Sequence, residues 1–302
     1  MAKKKAQRKG YPKIPLFLII FFLIISGLTG LIVLLLPTSD ERVHLDHIHY
    51  EAFKRESPPP PPPRCKSPSL GPPPYSMPLV SIVIDDMGYH RSTDKMLIEL
   101  PAPLGFSFLP YGPYTKKYVR LAHSLGKDVL IHIPMEPMEK DVNPGPGTLN
   151  VHMSPGEIAD ILAREIALVP YAIGANNHMG SYFTTQKDPM DAVLVELKRH
   201  GLFFLDSRTT KDTVAYTEAR RLDVPALERH VFLDYARGVA TVEHSLRRLV
   251  TISKKRGYAV AIGHPFKETL LVLKKDLPLV QKEVKIVPIS HLIRLREEIC
   301  RQ

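Results

Sequence analysis

Two adjacent carboxylates, Asp85 and Asp86, follow the apolar run 79–84 and come just before Gly88. Neighbouring acidic side chains repel each other, so a bound cation or a raised pKa on one of them must stabilise the pair. If one carboxylate binds a divalent ion, the other can take a proton from water, which is the chemistry of metal-assisted hydrolysis. The alternative is a helix N-cap with a solvated neighbour, because Asp commonly starts helices. The pair alone leaves both interpretations open.

Further side chains that bind metals or transfer protons stand at the ends of later apolar runs. They are His132, Glu136, Asn177, His178, Asp206, Arg208, Asp234 and His264. The carboxyl ends of parallel strands lie on one face of an α/β fold, so these groups can converge. Asp oxygens and His nitrogens bind Zn²⁺ at roughly 2.0–2.2 Å, and a catalytic zinc site keeps one position open. One histidine at a strand end is more often structural, whereas three beside four aspartates favour a site.

The elements that must position these groups alternate along the chain. Apolar, β-branched runs occupy residues 79–84, 105–109, 128–133, 173–175, 202–205, 230–233, 259–262 and 284–288. Helical patterns lie between most of them, at residues 115–125, 154–168, 188–199, 213–220, 241–256 and 268–273. Strands that alternate with helices predict βαβ units, and hence a parallel sheet or an α/β barrel.

The N-terminal region predicts a membrane anchor. Residues 14–36 carry no charge and are mostly Ile, Leu and Phe, and roughly 20 such residues span a bilayer core. The stretch is too long for a signal peptide and lacks a good cleavage site. The tail 1–13 holds six of the positive charges, which predicts a cytoplasmic N-terminus. We therefore expect a single-pass protein of a bacterial inner membrane whose domain is periplasmic or extracytoplasmic.

The segment 37–77 predicts a spacer, and the domain 78–302 follows it. The unbroken run Pro58 to Pro63 favours an extended polyproline II stalk. The alternative is a ligand for a proline-recognising partner, although no particular protein partner is indicated. Cys65 and Cys300 do not form a disulfide framework, and whether they pair is left open.

The charge distribution argues against nucleic-acid binding. The net charge is +10, but six of the basic residues lie in the tail 1–13, so the remainder is close to balanced. A nucleic-acid-binding domain carries a basic patch or stripe, which is missing from this sequence. The basic tail is better explained by membrane topology and by anionic lipid headgroups.

Six ordered motifs resemble those of one enzyme family. They occupy residues 82–89, 131–137, 144–149, 176–181, 203–209 and 261–265. With these motifs the chain resembles a divergent polysaccharide deacetylase, a distant branch of the NodB-like carbohydrate esterases. The resemblance spans residues 79 to 295 and implies a distorted (β/α) barrel of about seven parallel strands.

The resemblance also implies roles for particular residues. Asp85 matches the base, Asp86 and His178 match metal ligands, and the expected ion is zinc. The family places a second histidine four residues after the first, but Tyr182 stands there in this chain. His132 is the expected replacement ligand, with His264 as the next candidate.

Further roles concern the leaving group and the substrate. The late-strand catalytic histidine of the family matches His264, which would protonate the leaving group or stabilise the oxyanion. The family's Arg-x-Pro-Tyr motif has no clear counterpart, and Arg208 is the candidate for an equivalent charge. We expect Glu136, Asn177 and Asp206 to bind substrate.

The resemblance implies a metal-dependent hydrolase that deacetylates an envelope polysaccharide, with peptidoglycan as one candidate. The alternative is a non-catalytic envelope protein that keeps the cleft to bind glycan or a cell-wall partner. The missing second histidine and the missing arginine motif favour that alternative. In a third interpretation, the polar strand ends only cap helices.

Overall fold

The computed structural model describes residues 77–301. The predicted tail 1–13, the predicted anchor 14–36 and nearly all of the predicted linker 37–77 lie outside the described residues. None of the helices described between residues 77 and 301 is both long and apolar enough to cross a membrane.

A parallel sheet forms the centre of the domain, which confirms the predicted α/β class. Its strands are β1 (Leu79–Met87), β2 (Gly105–Phe108), β3 (Asp128–Met135), β4 (Gly174–Met179), β5 (Phe203–Asp206), β6 (Ala226–Glu228), β7 (Val231–Phe232), β8 (Tyr258–Gly263) and β9 (Lys285–Ile286). The strand order is β6-β5-β4-β3-β2-β1-β8-β7, and β9 pairs with β1. Every strand pair is parallel.

Helices follow most of the strands. They are α1 (Thr93–Ile98), α2 (Thr115–Ser124), α3 (Pro155–Leu168), α4 (Lys187–Arg199), α5 (Ala215–Arg221), α6 (Val239–Arg256), α7 (Lys267–Val280) and α8 (Ile289–Arg301). The sequence pattern ended α7 near residue 273, but the helix continues through Pro278. At the start of α3, Ser154 and Glu157 form a reciprocal capping box, which fixes where that helix begins.

The sheet is a half-barrel, and the prediction of about seven strands was too low. The described residues form nine strands. The segment 226–232 forms two short strands, β6 and β7, and the two-residue strand β9 pairs with β1. Only Arg229 and His230 separate β6 from β7. The Arg229 N–H donates to Asp206 O of β5 at 2.9 Å, and the His230 N–H donates to Val260 O of β8 at 2.9 Å. One broken strand therefore crosses the opening between β5 and β8.

The two faces of the sheet are packed differently. Successive side chains of a strand point to opposite faces. In β1, Val80, Ile82 and Ile84 belong to the large core that includes the helices α1 to α7. Leu79 and Val83 belong to a smaller inner core with side chains of α8. Asp85 continues this inner row, so the interior changes from apolar to polar towards the carboxyl ends of the strands.

His230 is a buried neutral base in the broken strand, and it makes stability depend on pH. Its Nδ1 accepts from the Val260 N–H at 3.1 Å, and its Nε2 has no hydrogen-bond partner among the described residues. Burial, assisted by Arg256 and Arg229, lowers the pKa of His230 to about 3. The unfolded chain titrates near 6.5, so it binds more protons than the native state between these two pKa values. Native stability is therefore lost as the pH falls through this window.

We expect the His230→Gln variant to lose this pH dependence. Between about pH 8 and about pH 5, His230 removes about 2 kcal/mol from the free energy of unfolding of the wild type. Urea unfolding of the two proteins at both pH values measures the difference. A gap between wild type and variant that stays constant with pH would contradict the assignment.

Candidate metal centre

The end of β1 turns both carboxylates towards the same histidine. A regular strand would send Asp85 and Asp86 to opposite faces. Instead, Asp86 has φ 54°, and the pairing register with β2 shifts between Ile84 and Met87. Such a bulge re-aims a side chain. As a result, His132 Nε2 lies 3.7 Å from Asp85 Oδ2 and 3.1 Å from Asp86 Oδ1.

Left-handed backbone recurs at neighbouring strand ends. Met179 at the end of β4 has φ 51°, and Arg208 just after β5 has φ 50°. Each such non-glycine residue costs about 1–3 kcal/mol and persists only where its surroundings hold it. Together with Asp86, they concentrate backbone strain at the carboxyl ends of the strands.

Asp86, His132 and His178 form a buried group whose ligand atoms all lie within 4.8 Å of one another. Asp86 Oδ1 is 3.1 Å from His132 Nε2 and 2.9 Å from His178 Nδ1, and the two ring nitrogens are 3.2 Å apart. Neither contact gives Asp86 Oδ1 a hydrogen bond of acceptable geometry. One carboxylate oxygen and two imidazole nitrogens thus converge, and the carboxylate oxygen is left without a hydrogen bond among the described residues. Such a donor set fits a divalent cation.

The pKa shifts of Asp86 and His178 also favour metal binding. Burial by itself would raise the pKa of Asp86, but the nearby imidazoles of His178, His132 and His264 hold it well below its usual range. Burial lowers the pKa of His178, and Asp86 only partly offsets this. An ionised carboxylate and a neutral imidazole are the forms that bind metal ions. For His132, burial lowers the pKa, but Asp85 and Asp86 together raise it.

Asp85 has the environment of a general base. Burial raises the pKa of its carboxyl to about 6, against the opposing effects of His132, His264 and the Asn176 amide. Asn176 Nδ2 donates to its two oxygens at 2.8 and 2.9 Å. Asp85 is therefore ionised at neutral pH, yet its basicity lies close to the optimum for proton transfer.

His264 has the environment of a general acid. Its Nδ1 lies 2.8 Å from Asp234 Oδ1, and its backbone N–H donates to Asp234 Oδ2 at 2.7 Å. Burial lowers the pKa of His264, but Asp234 raises it, with a net result of about 9. The imidazolium Nε2 lies 4.0 Å from Asp86 Oδ2. His264 can thus deliver a proton at the edge of the metal group.

Four other residues singled out in the sequence hold internal hydrogen bonds. Glu136 Oε2 accepts from the Val151 N–H at 2.8 Å, and Asn177 Oδ1 accepts from the Ser207 N–H at 2.9 Å. The remaining two are Asp206, which accepts from the Arg208 N–H and Thr213 Oγ1, and Arg208, which pairs with Glu228 at 2.8 Å. These contacts do not bring the four side chains into the metal group. Their roles in substrate or charge binding stay predictions.

Two members of the site, Asn176 and Asp234, had no individual role assigned from the sequence. Asn176 lies two positions before His178 in β4, so the alternation of a strand places both on one face. Asp234 follows β7, where the sequence already indicated a polar strand end. Tyr182, which occupies the position expected for a second histidine, precedes a 3₁₀ turn at Phe183–Thr185 and is 36% exposed. The third residue of the buried group is instead His132, which belongs to β3.

Comparison with known proteins gives one consistent result. The sequence model of the divergent polysaccharide deacetylase family matches residues 82–293. An uncharacterized protein of Haemophilus influenzae is 36% identical over 215 residues, which cover 71% of this chain and 76% of that protein. The uncharacterized protein YibQ of Escherichia coli K12 is 35% identical over 214 residues, which cover 71% of this chain and 67% of YibQ. The crystal structure of protein ATU2773 from Agrobacterium tumefaciens C58 shares the fold, with a TM-score of 0.69 and 24% identity over 72% of this chain and 90% of that one.

Proposed function

Because the chain belongs to the divergent polysaccharide deacetylase family, we propose that it is a metal-dependent hydrolase that removes acetyl groups from a bacterial envelope polysaccharide. The observation that carries this proposal is the buried group of Asp86, His132 and His178 beside a base and an acid. A divalent ion held there, for which zinc is our expectation, would polarise the acyl carbonyl and make water more acidic.

The other residues of the site have distinct tasks in this proposal. Asp85 takes the proton of the attacking water, because it is ionised at neutral pH and does not belong to the metal group. His264 donates a proton to the departing sugar nitrogen or oxygen, and Asp234 holds its ring in place. An acid and a base whose environments separate their pKa values are the usual arrangement for such a reaction.

The family and the predicted topology both support the proposed substrate class. The sequence predicts that the domain lies outside the cytoplasm, where peptidoglycan and other acetylated polysaccharides are its neighbours. We therefore propose an acetylated envelope glycan as the substrate, with peptidoglycan to be tested first.

Metal content and acetate release test the proposal together. Wild-type chain should hold about one divalent ion and release acetate from acetylated glycan, whereas His178→Ala should lose both properties because one ligand nitrogen is gone. His123→Ala is the matched control, since this histidine is exposed on α2 and stacks on Tyr171.

Two results would count against this function. A wild-type chain that binds no divalent ion under any condition would remove the proposed mechanism. A chain that binds glycan equally well with and without a chelator, and releases no acetate, would instead be a non-catalytic glycan-binding protein.

A further inference from the structure

We propose that Asn176 is a positioning residue that couples the base to the metal group. Its carbonyl oxygen determines which ring nitrogen of His132 carries the proton, and its amide nitrogen holds the carboxylate of Asp85. This inference rests on the proposed function, and it concerns a residue to which neither the sequence motifs nor the family resemblance gave a role.

The orientation of the Asn176 amide follows from its neighbours. The side chain is fully buried. One terminal atom of its amide group lies 2.8 Å from Asp85 Oδ1 and 2.9 Å from Asp85 Oδ2. An ionised carboxylate only accepts hydrogen bonds, so this terminal atom must be the amide nitrogen, Nδ2. The carbonyl oxygen therefore faces Ser107 Oγ at 2.5 Å and His132 Nδ1 at 2.8 Å.

This orientation sets the tautomer of His132. The carbonyl oxygen of Asn176 can only accept, so the hydrogen on the short contact must be carried by His132 Nδ1. The neutral ring then has its unshared electron pair on Nε2, the atom that lies 3.1 Å from Asp86 Oδ1 in the metal group. The hydrogen bond made by one ring nitrogen commonly fixes the metal-binding state of the other.

Asn176 is held from several strands at once. It belongs to β4, and its partners belong to β1, β2 and β3. A fourth partner, Ser207 just after β5, lies 3.2 Å from Nδ2. One rigid amide thus spans the base and the metal ligand, and a change at this position acts on both. Loss of Asn176 should weaken metal binding and turnover together, whereas loss of the Asp85 charge should reduce turnover alone.

The first test needs no variant. In the zinc-loaded wild-type chain labelled with ¹⁵N-histidine, nuclear magnetic resonance should show the proton of His132 on Nδ1 and none on Nε2. A proton on Nε2 would overturn the inference, whatever happens to the folding of any variant.

The second test uses Asn176→Ala, with zinc affinity measured by competition with a chromophoric chelator. We expect affinity to fall roughly 10- to 100-fold, the usual cost of losing a partner that orients a metal ligand. Acetate release should fall as well, and the slowly exchanging Nδ1 proton of His132 should disappear.

Ser81→Ala is the matched control for the loss of a buried polar group. Ser81 lies on the inner face of β1, four residues before Asp85, and donates to Val287 O at 2.9 Å. It should leave the zinc affinity and the His132 signals unchanged. If Asn176→Ala binds zinc within about twofold of an active wild type, only this inference is overturned. If wild type binds no zinc, the proposed function fails as well.

Discussion

Asp85→Asn should lower the turnover number roughly 10²- to 10⁴-fold, the usual contribution of a general base, while zinc still binds. The substituted amide keeps the shape of the side chain and can still accept from Asn176, so the fold should persist. It cannot take a proton, because the carboxylate whose pKa burial raises to about 6 is gone. Acetate release at saturating glycan and zinc affinity, measured on the same preparation, separate the two effects.

Asp128→Asn supplies the matched control for this change. Asp128 begins β3 at the opposite end of the strand and accepts from the Ser290 N–H and hydroxyl at 2.8 and 3.0 Å. The same carboxylate-to-amide substitution there should leave turnover unchanged, even if stability declines. Wild-type turnover in Asp85→Asn would mean that another group accepts the proton, and the assignment of Asp85 would be lost.

Asp86→Asn should abolish zinc binding in the concentration range where wild type is saturated. The loss should exceed the roughly 10- to 100-fold that removal of an outer partner costs, because the only negatively charged ligand of the group disappears. Asparagine is the appropriate replacement, since residue 86 has φ 54° and asparagine adopts this left-handed conformation more readily than alanine does. Isothermal titration with zinc, followed by metal analysis after dialysis, measures the effect.

The comparison between the two variants is itself informative. Asp85→Asn should keep the ion and lose turnover, whereas Asp86→Asn should lose both. If Asp86→Asn retains wild-type zinc content, the buried group of Asp86, His132 and His178 is not where the ion binds.

Much of this site was predictable from residue order alone. Apolar runs that end in Asp, His or Asn indicated a common edge, and parallel strands bring such ends together. His132, the expected replacement for the ligand missing at Tyr182, lies in the buried group with Asp86 and His178, and its role as a metal ligand stays a prediction. That placement needed only the position of His132 near the end of a strand next to β4.

Other features depend on tertiary contacts that local sequence does not reveal. β6 has only three residues, and it becomes a strand because it pairs with β5. Helix α8 was missed, although its apolar side chains complete the inner core. The coupling role of Asn176 depends on partners 69 and 91 residues away in sequence, which are Ser107 and Asp85. Hydrogen bonds between residues so far apart in the sequence produce no periodic pattern along it.

The left-handed backbone at residue 86 also limits how this centre can change during evolution. Among side chains that bind hard or borderline cations, glutamate is the nearest chemical substitute for aspartate, yet it is poorly suited to positive φ. Asparagine satisfies the backbone but supplies no negative charge, and one nucleotide change in the codon suffices to produce it. An inactive descendant with an intact half-barrel is therefore one codon change away, and asparagine at position 86 would identify it.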